Sequence, residues 1–147
     1  MRLHDIALAC AVVSLASIAS AEPADEEPTP SVASTPAPEE VAKIEVVQRH
    51  VDAYRSGNLD RFVATFAPDA EVYANGIVAN GRAEIRALYA ANFAAGAPSI
   101  RIHDSGISGD MVFLSVGYVF ANGEEVCCSF SEYEVVGEEI SYLASSN

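Results

Sequence analysis

An α+β domain is expected from three observations. Apolar residues recur at helical spacing through the first half of the chain, the second half is a run of strand-patterned segments, and the two kinds of segment do not alternate. Three N-terminal helices should therefore pack on one face of an antiparallel sheet. A strongly curved sheet wrapping them would leave a cavity at its open end.

The first helix is predicted from about Glu39 to Ser56. Val47, His50, Val51 and Tyr54 fall on one stripe, while Glu45, Arg49, Asp52 and Ser56 gather opposite. Gly57 supplies the left-handed residue that ends it. Asn58 then caps a short helix whose Leu59, Phe62, Val63 and Phe66 face inward, with Pro68 closing it. Glu71 to Ala74 and Ile77 to Ala79 read as short strands around an Asn75-Gly76 turn. Asn80-Gly81 leads into a helix from about Arg82 to Phe93, with Ile85, Leu88, Tyr89 and Phe93 on its apolar side and Gly96 and Pro98 after it. Four strands follow: Ser99 to Ser105, Met111 to Ala121, Glu124 to Val136 and Ile140 to Ala144. Turns at Gly109-Asp110, Asn122-Gly123 and Gly137-Glu138 separate them.

These elements occupy residues 41–147. Ahead of them, residues 1–21 read as a secretory signal peptide: a short basic start, an apolar run from Ile6 to Ser20 and a small-x-small site at Ala19-Ser20-Ala21. Cleavage near Ala21 would export the chain, to a periplasm or outside the cell, with no membrane span retained. Cys10 is a poor lipidation site, because only nine residues precede it and Ala7 stands where a leucine is wanted. Residues 22–40 hold five prolines and six acids and no base, the composition of a flexible acidic linker. The domain carries fourteen acids against seven bases within a total charge of −13, which argues against nucleic-acid binding. Beyond the signal region the only cysteines are Cys127 and Cys128. As strand neighbours they should point to opposite faces as partly buried thiols, with a strained vicinal disulfide acting as a redox switch as the alternative. No metal-ligand spacing is found, and no metal or cofactor is expected.

The stretch VQRHVDAYRSGNLDRFVATFAPDAEVY (Val47 to Tyr73) and the segment GRAEIRALYA (Gly81 to Ala90) closely resemble bacterial ketosteroid isomerases and the SnoaL-like proteins of the nuclear-transport-factor-2-like superfamily. The resemblance spans about Val41 to Leu143 and implies a cone-shaped fold around a pocket. It also implies where the chemistry should be. A ketosteroid isomerase moves a proton with an Asp base and holds the oxyanion with a Tyr and a protonated Asp. Aligned without gaps, the Tyr position falls on His50 and the base position on Ala74, with Tyr73 or Asn75 one residue away. The second donor falls near Ser131, in the row Ser131, Tyr133, Val135, with Glu132 one residue off. A methyl group cannot accept a proton, so the isomerisation has no first step.

His50 has two readings: a donor or acid/base aimed at a ligand, or a core histidine bonded to Tyr54 or to a strand hydroxyl. Tyr54 and Tyr89 are either cavity walls or core, Tyr73 should point away, and His103 reads as a solvated sheet-face residue. The expected ligand-binding set is His50, Tyr54, Ala74, Tyr89, Ser131 and Tyr133. Two functions follow. One is an exported binding module for a small apolar or cyclic molecule. The other is an isomerase, dehydratase or cyclase using His50 as acid/base, favoured if Glu132, Asp104 or Asp110 lies beside it. A domain that forms a homodimer through its sheet is a third, weaker reading.

Overall fold

The computed structural model describes residues 36–146; the expected signal peptide and most of the linker lie outside the described residues. Helix α1 (Pro38–Arg55) starts slightly ahead of its predicted position. Pro38 suits a first helical turn, where no amide hydrogen is needed, and the Glu40 carboxylate accepts from the Ala37 N–H at 2.6 Å. Helix α2 (Leu59–Ala64) is capped by Asn58, whose Oδ1 accepts from the Arg61 N–H at 3.0 Å.

Here the sequence expectation needs correcting. Phe66 is not on α2 but opens strand β1 (Phe66–Ala74), and Pro68 lies inside that strand instead of ending a helix. The Thr65 hydroxyl donates to the Phe62 carbonyl at 2.7 Å and closes α2 early. Residues preceding a proline favour extended backbone, and Pro68 is accommodated where the strand register shifts between Phe66 and Glu71. Arg82 secures the junction: its Nε donates to the Phe66 carbonyl at 2.7 Å and its guanidinium meets Glu139 at 2.6 Å.

Strand β2 (Ile77–Asn80) and helix α3 (Gly81–Ala94) follow, then β3 (Ser99–Ser108), β4 (Met111–Val119), β5 (Glu125–Val136) and β6 (Glu139–Ser146). The six strands form one curved, unclosed sheet in the order β2-β1-β6-β5-β4-β3. Four of the pairings are antiparallel, as expected. The fifth, β1 with β6, is parallel, because the last strand of the meander returns to fill the free side of β1. The helices cover one face, where Val47, Val51, Phe62, Phe66, Val72, Ile85, Val112 and Ile140 are almost fully withdrawn from water. Among the described residues no helix is long and apolar enough to cross a membrane.

Two bulges flank β4. On β3 the register slips between Ile102 and Asp104, leaving His103 unpaired opposite β4. On β5, Val126 pairs with Tyr118 and Ser129 with Val116, so Cys127 and Cys128 together face Gly117. This overturns the expected alternation of the two cysteines. The bulge re-aims the side chains, both residues are exposed, and their sulfurs are joined as a vicinal disulfide.

Candidate functional site

His50 lies on the buried stripe of α1 and is 4% exposed. Its Nδ1 is 2.8 Å from the Thr65 hydroxyl oxygen. That hydroxyl has already committed its proton to the Phe62 carbonyl, so its oxygen accepts and Nδ1 carries the hydrogen. The partner is therefore the C-cap of α2, neither Tyr54 nor a strand hydroxyl. Nε2 is left as an acceptor with no protein partner, and it is not sealed off. Burial pushes the imidazolium down to about 3, so the ring is neutral at physiological pH. Phe62, Phe66 and Tyr133 surround it at centroid distances of 4.6, 5.0 and 5.5 Å.

Phe62 is the hub of this aromatic cluster. It also meets Tyr54, Tyr89 and Phe93 at 5.7, 4.7 and 5.2 Å, which sets the tilt of the rings beside the open end of the sheet. Two connected spaces result. An outer chamber of about 440 Å³ is lined by Tyr54, Ala74, Asn75, Ile77, Leu88, Tyr89, Asn92, Pro98, Tyr118, Phe120 and Ser145. An inner recess of about 40 Å³ is bounded by His50, Tyr54, Phe62, Tyr89, Leu114, Tyr118, Ser131 and Tyr133, among others. Tyr54, Tyr89, Tyr118 and Ser145 belong to both and form the neck between them. The outer chamber is of a size suited to small molecules, whereas the recess holds little beyond a water.

The polar side chains of this space are all uncharged at neutral pH: tyrosine and serine hydroxyls, the Asn75 and Asn92 amides and the His50 ring. Burial, reinforced by the nearby Tyr118, pushes the Tyr54 phenol up to about 12. Burial likewise raises Tyr89, with Tyr133 adding to it. Tyr133 is raised by burial too, against a smaller opposing effect of the nearby Ser131 hydroxyl. Ser131 in turn donates to the Ser145 hydroxyl at 3.1 Å. The hydroxyls of Tyr54, Tyr89 and Tyr118 have no protein partner among the described residues, yet none is sealed from the cavity. They are donors waiting for an acceptor.

All six residues expected from the sequence border these two spaces: Ala74 the chamber, His50, Ser131 and Tyr133 the recess, and Tyr54 and Tyr89 both. Tyr73 is exposed, pointing away. No Asp or Glu among the described residues lines either space. Glu132 is on the opposite side of β5 from Ser131 and Tyr133, Asp104 is exposed, and Asp110 lies 4.0 Å from Lys43. None of the three partners His50. Sequence reasoning missed Tyr118, although the inward series Val112, Leu114, Val116 on β4 leads directly to it.

The model of the SnoaL-like domain family matches residues 47–140 of this chain. No curated protein is significantly similar to it. Among solved structures, one from Sinorhizobium meliloti, whose name proposes a polyketide cyclase, is 24% identical. That match covers 69% of this chain and 94% of the other, with a TM-score of 0.60. A protein of ketosteroid isomerase-like fold from Catenulispora acidiphila, solved in complex with trimethylamine, is 20% identical over 70% of this chain and 85% of its own, also at 0.60. A de novo designed protein with a curved β-sheet reaches the same TM-score at 16% identity, covering 74% and 85%. A designed scaffold matching as well as natural ones shows that such likeness reports the fold alone. The family match, over residues 47–140, shows that the chain belongs to the SnoaL-like domain family.

Proposed function

We propose that this chain is an exported SnoaL-like domain that binds a small, largely apolar molecule in the outer chamber. The carrying observation is the chemistry of the walls: aromatic and aliphatic surface, unpartnered tyrosine hydroxyls, a neutral histidine acceptor and no carboxylate. Such a lining fits a hydrophobic or cyclic ligand bearing one or two oxygen acceptors, oriented by the neck tyrosines. It is ill suited to proton abstraction. Ala74 stands at the position of the family's base, and a ring whose conjugate acid has a pKa of about 3 is too weak a base to take the proton instead. Binding therefore ranks above catalysis by His50. The outward Phe113–Phe130 stack, at 5.9 Å, supports a homodimer through the sheet as part of the same reading.

Native mass spectrometry of protein recovered from its export compartment tests this. A retained small molecule, displaced on denaturation and lost in Tyr89→Ala, is the expected result. Protein that emerges empty and takes up no apolar compound from an extract would overturn the proposal.

A further inference from the structure

A second cluster of reactive side chains lies on the sheet face opposite Val116 and Tyr118, away from the cavity. The β3 bulge presents His103 and the β5 bulge presents Cys127 and Cys128, and their ligand atoms all lie within 4.8 Å of one another. Between them runs β4 with Gly117, whose missing side chain is what makes room. A Cβ there would stand 2.8 Å from His103 Nε2 and collide with the Glu125 carboxylate. Glu125 Oε1 is 2.6 Å from His103 Nε2, and its other oxygen accepts from Arg101 at 2.8 Å.

We propose that, with the vicinal cysteines in their dithiol form, His103, Cys127 and Cys128 make a binding site for a thiophilic cation of the zinc class. Two thiolates and an imidazole are the donor set that such borderline-soft ions select. The Glu125 carboxylate accepts the Nε2–H of His103, which leaves Nδ1 its lone pair. A carboxylate on the far ring nitrogen is the usual support of a metal-binding histidine. Three protein donors leave a fourth position for solvent. A phosphine or thiol reductant opens the disulfide with two electrons and two protons, and the cation then displaces the two thiol protons, so binding tightens as pH rises. Cys127 and Cys128 are adjacent in sequence and His103 is far upstream, so no linear spacing motif announces the set. The pairing of β3 and β5 across β4 assembles it.

Cobalt(II) titration of the full chain, reduced with a phosphine under nitrogen, is the test. A Cys10→Ser background ensures that only the vicinal pair reports. The expected result is a single site with thiolate-to-cobalt charge-transfer absorption. Cys127→Ser or Cys128→Ser should abolish that absorption. His103→Ala and Glu125→Gln should each weaken affinity about tenfold or more. His50→Ala, on the other face of the sheet, should leave it unchanged. Cobalt binding without thiolate absorption, or His103→Ala binding as tightly as the parent, would overturn the proposal. His103, Cys127 and Cys128 are exposed and Glu125 is partly so, and circular dichroism of their variants should remain that of the folded domain.

Discussion

His50 donates from Nδ1 to the Thr65 hydroxyl at 2.8 Å, and Thr65 passes its own proton to the Phe62 carbonyl at 2.7 Å. This two-step chain fixes the tautomer of the histidine in the recess and ties α1 to the end of α2. Thr65→Val keeps the shape but removes the acceptor, stranding a buried N–H. We expect a loss of about 1–3 kcal/mol in denaturant unfolding, with Thr65→Ser near the parent. Equal stability of the valine and serine variants would mean the bond contributes nothing.

The same burial makes stability fall in acid. The folded pKa of His50, about 3, is below its unfolded value of 6.5. Between those values the unfolded chain binds the extra proton. The contribution is thus intact above about pH 6.5, declines by about 1.4 kcal/mol per pH unit below it, and is exhausted near pH 3. His50→Gln cannot titrate. The difference in unfolding free energy between parent and variant should therefore narrow as pH drops from 7 to 4, and a difference independent of pH would contradict the assignment.

At the alkaline end the tyrosines take over. Tyr54, Tyr89 and Tyr133 all have phenols raised by burial, so folding disfavours their ionisation. Stability from each is full below about pH 10 and is lost as pH climbs toward the folded value, about 12 for Tyr54. Ultraviolet titration should show a late tyrosinate phase that coincides with unfolding. Tyr89→Phe and Tyr133→Phe should each shrink that phase.

Ala74 yields a prediction about chemistry. Purified protein should not isomerise a β,γ-unsaturated ketosteroid above background, since the position of the base holds a methyl group. Ala74→Asp, which places a carboxylate on the chamber wall, is expected to create weak activity. Robust turnover by the parent would show that another residue serves as base.

Much of this was readable from spacing. The stripe Val47, His50, Val51, Tyr54 and the row Ser131, Tyr133 point inward because helical and strand periods dictate it, and the structure agrees. What failed depended on register or on where an element stops. Phe66 could continue the short helix by spacing alone, and only the early closure at Thr65 decides otherwise. The vicinal cysteines should alternate in a regular strand, but the bulge opposite Gly117 groups them. Local pattern does not encode which strand a strand pairs with. That is why the parallel partner of β1 and the meeting of His103 with Glu125 were both out of reach.

The place of β6 has a consequence for timing. It sits between β1 and β5, so without it the sheet is two separate ribbons, β2-β1 and β5-β4-β3. The edge of β1 away from β2 has no strand to pair with until residues 139–146 arrive. A chain made from its N-terminus cannot complete this core while its last strand is still inside the ribosome. Its decisive contacts join distant parts of the sequence, which favours slow, all-at-once folding once β6 is available. Deleting the last few residues should then leave an unfolded chain, not a slightly shorter domain.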